Sequence, residues 1–157
     1  MTNLDKAKPA RAFLDANVLF SAAIGGGVIT LWSMKGVALV TSEYAAHEAH
    51  HNLQRRTDGP AVLTKLEDLL AQMEVHPGPD LSQPLFCAWK LPDPNDVPIL
   101  MGAIEANCEY LVTGDKACFG EYYGRTLDGV MVLRPSTFIH LLAARARPDA
   151  PPDPTSG

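Results

Sequence analysis

Residues 92–119, PDPNDVPILMGAIEANCEYLVTGDKACF, set an apolar helix before a short strand and place acids at both joints. Ile99, Leu100, Ala103 and Ile104 recur at intervals of three and four, the spacing of one helical face. Tyr110, Leu111 and Val112 form a β-prone run. Pro98 fits only the first turn of a helix, so Asn95 or Asp96 is expected as its cap and Asp96 lies at the helix mouth. Asp115 follows the strand through Thr113 and Gly114. In an α/β sheet, ligands bind beyond the carboxyl ends of the strands.

Working outward, Ala12, Phe13 and Leu14 form a buried-strand candidate that stops at Asp15, and Val18, Leu19, Ala22 and Ala23 then follow helical spacing. The glycines at 25–27 break that helix. Residues 28–34 look helical again, and Gly36 closes them in a left-handed cap. A second strand is expected at 37–40, with Thr41 or Ser42 capping an unusually polar helix that carries Glu43, His47, Glu48, His50 and His51. Residues 61–73 form an amphipathic helix whose buried side is Val62, Leu66, Leu69, Leu70 and Met73. Short strands are expected near Val75 and Phe86, a turn-rich connection at 119–128, a strand at 130–133 and a last helix opened by Pro135 or Ser136. Alternating strands and helices predict a mostly parallel sheet covered on both faces, a three-layer α/β/α sandwich. The expected organisation is a flexible lead-in at 1–10, one domain at 11–144 and a disordered Pro-rich tail at 145–157.

At 157 residues and 46% hydrophobic, the chain can bury a core of its own. Cys87, Cys108 and Cys118 are odd in number and never spaced as CxxC, which argues against a disulfide framework and a zinc knuckle and for a reducing cytoplasm. The first residues, MTNLDKAKPARAF, lack the apolar core of a signal peptide, and no segment has the roughly 20 apolar residues of a membrane span. A formal charge of -5 gives no field that draws in nucleic acid. A polyanion would need either a basic rim, such as Arg55, Arg56, Lys116 and Arg125, or metal ions that reverse the sign of an acidic pocket.

Acids gathered at one sheet edge raise each other's pKa unless a positive charge lies between them. A divalent cation with oxygen ligands resolves that conflict, and it can orient water and stabilise charge developing on a phosphodiester. The competing roles are structural. Asp15 and Asp96 could be helix caps, Asp115 a turn residue, and Glu48 a solvated charge. The histidines lack the HExxH order of a zinc helix, and 25–27 lacks the lysine of a phosphate loop. A receiver-type domain also uses acids at strand ends, but it needs a lysine at a separate strand end, whereas Lys116 adjoins Asp115.

The runs FLDANVLFSA, VTSEYAAHEAHHNL, LPDPNDVPILMGAIEANCEYLVTGDKACF and VLRPSTFIHLL, in this order, resemble the PIN-domain family over roughly residues 11–142, and in particular its VapC-like toxin branch. The resemblance implies an α/β/α sandwich, a Mg²⁺- or Mn²⁺-dependent ribonuclease acting on RNA, and an antitoxin partner whose arginine enters the acidic site. Homodimers are common in the family, though no apolar stripe specifies one here. The implied catalytic and metal-holding carboxylates are Asp15, Glu48, Asp96 and Asp115. Glu43 is the alternative to Glu48. Asn17, Thr113 and Asp93 are expected as supports, and Arg55, Arg56 and Lys116 as contacts to nucleic acid. The rival expectation is a module of the same fold that binds RNA or a protein without cutting.

Overall fold

Residues 10–14 become the strand at the middle of the sheet, β1 (Ala10–Leu14), with four of its five side chains buried. The structure is a computed structural model that describes residues 8–82, 91 and 93–146. The expected strand near Phe86, Cys87 and most of both termini lie outside the described residues.

From β1 the chain runs through α1 (Ala16–Ala23), a 3₁₀ turn (Gly27–Ser33), β2 (Val37–Ser42), α2 (Glu43–Gln54), α3 (Gly59–Leu70) and β3 (Glu74–His76). A second 3₁₀ turn (Pro94–Asp96) leads into α4 (Val97–Glu105), β4 (Tyr110–Val112) and the short α5 (Lys116–Phe119). A third 3₁₀ turn (Gly120–Tyr122), β5 (Thr126–Leu127), β6 (Val130–Leu133) and α6 (Pro135–Arg145) complete the order. The sheet order is β3-β2-β1-β4-β6-β5, parallel throughout except for the antiparallel β5–β6 pair. Among the described residues no single helix is long and apolar enough to cross a membrane.

Side chains alternate along a strand, so the two faces of the sheet can be told apart by their neighbours. Phe13 meets α4: a Cβ placed on Gly102 would come within 3.2 Å of the Phe13 ring. Tyr110 of β4, in register with Ala12, meets Phe138 of α6 with ring centroids 5.1 Å apart. Helices therefore cover both faces, as the alternating pattern predicts. The polar helix α2 docks with only Ala45, Ala49 and Leu53 buried, a stripe at i, i+4 and i+8 whose small residues allow close approach. The chain leaves α4 through Asn107, at φ 55°, in the left-handed turn that commonly ends a helix.

Several local expectations are refined. Residues 27–33 wind as a 3₁₀ helix, and Gly36 has the expected left-handed φ of 80°. Ser42 is the cap of α2, accepting from the Ala45 N–H at 3.1 Å, while the Thr41 hydroxyl donates to the Leu14 carbonyl at 2.9 Å. Asp96 occupies the N-cap position of α4 without making a side-chain capping bond, and Asp93 caps the preceding 3₁₀ turn through the Asn95 N–H at 2.9 Å. The stretch expected as a connection, 119–128, contains the third 3₁₀ turn and β5. Strand β5 is a hairpin arm joined to β6 by Asp128 and Gly129, both at positive φ, the two-residue turn that suits the sheet's twist.

The contact between Gly102 and Phe13 yields a stability test. Gly102→Leu should overpack this interface and cost about 1–3 kcal/mol in chemical denaturation. An unchanged midpoint would mean that α4 does not depend on seating against β1.

Candidate functional site

Adjacent ends of β1 and β4 create the site. The Asp15 N–H donates to the Val112 carbonyl at 3.1 Å, so the chain leaving β1 stays hydrogen-bonded to β4 until Asp15 itself. This brings Asp15 beside Thr113. The Thr113 hydroxyl donates to Asp15 Oδ2 at 2.8 Å and accepts from the Asp115 N–H at 3.1 Å. Asn17 Nδ2 donates to the same Oδ2 at 3.2 Å, while Asn17 Oδ1 accepts from the Gly114 N–H at 2.9 Å. Tyr123 secures this corner from behind, its hydroxyl donating to the Thr113 carbonyl at 2.9 Å.

In front of this corner lies a cavity of about 580 Å³ lined by Asp15, Asn17, Glu48, Asp96 and Asp115, together with Phe20, Asn52, Arg55 and Gly114. The four expected carboxylates thus arrive from four places: the β1–α1 joint, the middle of α2, the mouth of α4 and the β4–α5 joint. Asp15 and Asp115 also cap their helices, accepting from the Ala16 N–H at 2.6 Å and the Cys118 N–H at 3.2 Å. These two therefore cap a helix and line the cavity at once. Glu48 faces the cavity and Glu43 does not; Glu43 is exposed in the first turn of α2.

The other expected residues divide. Asn17 and Thr113 hold Asp15 as described. Asp93 is exposed outside the lining, and its charge adds to the field on Glu48 and Asp96. Arg55 lines the cavity. Arg56 is tied to Asp58 at 2.8 Å and lies over Phe20, and Lys116 is exposed outside the lining. None of His47, His50 and His51 lines the cavity.

Electrostatically the pocket is under stress. Asp15 is 3% exposed, and its pKa is pushed up to about 7, first by burial and then by the charges of Asp96 and Glu48, against the hydrogen bonds from Thr113 and Ala16. Glu48 is raised by burial and then by Asp96, Asp93 and Asp115. Asp96 is raised by burial and by Asp115 and Asp93, although the Cys118 thiol donates to it and pulls the other way. That thiol is itself pushed up to about 12, chiefly by burial. These mutual effects place the carboxylates in one field. Ion pairs to acids form away from the cavity, at Glu74 and Asp58.

An all-oxygen acidic set without a cationic partner suits a hard divalent ion such as Mg²⁺ or Mn²⁺. Among the described residues no three His, Cys, Asp or Glu side chains already stand as a ligating group. The donor chemistry fits an ion held partly through water, the habit of Mg²⁺.

Sequence reasoning missed Tyr44, Asn52, Phe20 and Cys118. Tyr44, one turn before Glu48 on α2, donates from its hydroxyl to the Asn95 carbonyl at 2.8 Å and so ties α2 to the turn that carries Asp96. Its helical spacing from Glu48 was the available signal. Nothing local distinguishes Cys118, whose role depends on where α5 meets the mouth of α4.

The PIN-domain family matches the chain over residues 11–117, which contain all four cavity carboxylates. Among solved structures, PAE2754 from Pyrobaculum aerophilum is similar at a TM-score of 0.60 and 18% identity, over 88% of this chain and 98% of that one. VapBC2 from Rickettsia felis, bound to a DNA fragment from its promoter, gives 0.54 and 14% over 79% and 98%. VapBC-1 from nontypeable Haemophilus influenzae gives 0.53 and 14% over 80% and 98%. No curated relative matches the chain in sequence.

Asp15 fixes the sign of a pH dependence. Folded, it keeps its proton to about pH 7; unfolded, it releases it near the reference value of about 3.9. Between these values the native state binds more protons, so stability falls as pH rises. Glu48 and Asp96, also raised, act in the same direction. Chelator-treated protein should therefore melt at progressively lower temperature from pH 5 to 8 in calorimetry, and Asp15→Asn should make that slope shallower. A melting temperature that rises over this range would contradict the site's electrostatics.

Proposed function

The chain belongs to the PIN-domain family, and on that premise we propose that it is a metal-dependent ribonuclease, the toxin of a bacterial toxin–antitoxin pair. Members of the family are typically nucleases that use divalent ions. The observation that carries the proposal is the convergence of Asp15, Glu48, Asp96 and Asp115 on one cavity, with none of the four in an ion pair among the described residues. Bound there, Mg²⁺ or Mn²⁺ would supply charge stabilisation to a phosphodiester and lower the pKa of water.

Each residue has a distinct task in this proposal. Asp15, Glu48, Asp96 and Asp115 would hold the ion directly or through water, and one of the carboxylates would accept a proton from the attacking water. Thr113 and Asn17 both donate to Oδ2 of Asp15 and so fix that carboxylate's orientation. Tyr44 fixes the mouth of α4 relative to Glu48. Arg55 meets the RNA backbone at the cavity edge, a contact that positions the strand without reading its sequence. The buried thiols Cys108 and Cys118 accord with a reducing cytoplasm.

One observation favours the non-catalytic module instead: the absence, among the described residues, of a ready three-ligand group. Metal and RNA measurements separate the two readings. Mn²⁺ should bind saturably in calorimetry and activate RNA cleavage. Asp15→Asn and Asp96→Asn should each reduce cleavage by about 100-fold or more, a loss comparable with removing a direct stabiliser of the transition state. Thr113→Val should cost about 10- to 100-fold. No saturable Mn²⁺ binding, or cleavage by the Asn variants at the wild-type rate, would leave the binding module.

The toxin assignment extends to a partner. VapBC assemblies share this fold, and an acidic cavity this size would accept an arginine from a small antitoxin as readily as an ion. Expression of the chain alone should slow bacterial growth, and co-expression of its antitoxin should restore growth and yield a copurifying complex. Normal growth together with no copurifying partner would remove the toxin role.

A further inference from the structure

On the other side of Asn17 lies a second cavity, of about 590 Å³, that nothing in the proposed chemistry employs. Asn17 and Gly114 line both cavities, so the two share a wall at the point where Asp15 is held. Their characters are opposite. The first is ringed by carboxylates, whereas among the described residues no Asp, Glu, Lys or Arg lines the second. Its walls include Val28 from the 3₁₀ turn and Pro135 and Ile139 from α6, and exposed Thr30, Ser136 and His140 carry polar atoms at its edge.

Substrate connectivity gives this cavity an occupant. A scissile phosphodiester seated at the acids belongs to a strand, and the strand must leave past one rim or another. At the rim formed by Asn17 and Gly114 it enters the uncharged cavity directly. A phosphate would find no cation there to neutralise it. A nucleobase fits better, because its flat faces suit apolar walls and its edge can bond to hydroxyl and imidazole groups. The volume lies within the roughly 300–1,000 Å³ usual for small-ligand pockets.

We propose that this second cavity is a subsite for the nucleobase next to the scissile phosphodiester, with Ser136 and His140 placed to read its edge. The proposal rests on the ribonuclease reading and supplies that reading's base preference. Sequence selection then comes from α6 and the 3₁₀ turn, elements separate from those that carry the acids.

Ser136→Trp and Thr30→Trp fill the cavity from two different elements at exposed positions, so at least one should fold normally. Two measurements are paired: Mn²⁺-dependent binding of nucleoside 3′- and 5′-monophosphates, which carry the base on either side of the phosphate, against ribose 5-phosphate, and cleavage of an oligoribonucleotide against copies made abasic on either side of the cut. The wild type should prefer the nucleotide by about tenfold or more, the size of a base-stacking contribution, and each folded Trp variant should lose that preference. Cleavage of the intact strand should fall by about tenfold, while cleavage of the copy abasic at the docked position stays unchanged. Equal binding of nucleotide and ribose 5-phosphate by the wild type would overturn the subsite, as would Trp variants that keep the preference. Variants that only weaken a copurified antitoxin would assign the cavity to a protein and also overturn it. Base-dependent binding that the Trp variants abolish, in a protein that cuts no RNA, would uphold the subsite and sink the nuclease reading alone.

Discussion

A carboxylate shut away from water at the seam between two parallel strands is the interaction on which this structure turns. Asp15 is desolvated and sits in the field of Asp96 and Glu48, both of its own sign. A group so placed raises its pKa or takes partners. The fold gives it neutral hydrogen-bond donors: the Thr113 hydroxyl, the Asn17 amide and the Ala16 N–H. Those donors are themselves engaged, Thr113 by Asp115 and Tyr123, and Asn17 by Gly114. The carboxylate is therefore oriented by a closed network, while its charge is left for something in the cavity to answer. Fixed geometry with unanswered charge is what a preorganised electrostatic site requires.

The other half of the site depends on contacts that make no chemistry. Glu48 reaches the cavity because Ala45, Ala49 and Leu53 fix the rotation of α2. Asp96 reaches it because α4 seats Gly102 on Phe13 and because Tyr44 ties the preceding turn to α2. The separation of Glu48 from Asp96 is thus set by a tyrosine hydroxyl and a glycine, neither of which lines the pocket. Cys118, within the short α5, adds a thiol bond to Asp96 and links this half back to Asp115, whose side chain accepts from the Cys118 N–H.

How much of this could be seen in the amino acids follows from how local each cause is. Strands β4 and β6 have the expected bounds because their apolar runs are short and sharply ended. Asp15 and Asp115 were legible as strand-end acids for the same reason. Glu48 could not be separated from Glu43 by pattern, because two alanines and one leucine make too faint a stripe to fix a helix's rotation; packing against neighbours decides it. Asp96 looked like a cap because the distinction between Asp93 and Asp96 lies in a 3₁₀ turn that proline spacing alone does not reveal. The β5 arm, expected only as part of a connection, has a local signal of its own: Leu127, Asp128, Gly129 and Val130 carry a hairpin turn between apolar residues. The tie from Tyr44 to Asn95 and the thiol on Asp96 have no sequence signature, since each joins segments far apart in the chain or across a turn.

The site also explains how an acidic chain could handle a polyanion. With a formal charge of -5 and four carboxylates in the cavity, the protein's own field repels a phosphodiester strand. Arg56 offers little correction, because Asp58 already neutralises it. Arg55 is the cation that lines the cavity, and a single guanidinium at one edge cannot offset the set. On the proposed ribonuclease reading attraction is then conditional: without an ion the acidic pocket repels phosphate, and a bound ion would reverse the local sign. Burial first, and then the like charges of Asp96 and Glu48, raise the Asp15 pKa, and the same uncompensated carboxylates would repel a phosphodiester. On that reading an ion or an arginine from an antitoxin would answer the same negative charge, so the geometry proposed to admit an activating metal would also admit an inhibiting partner.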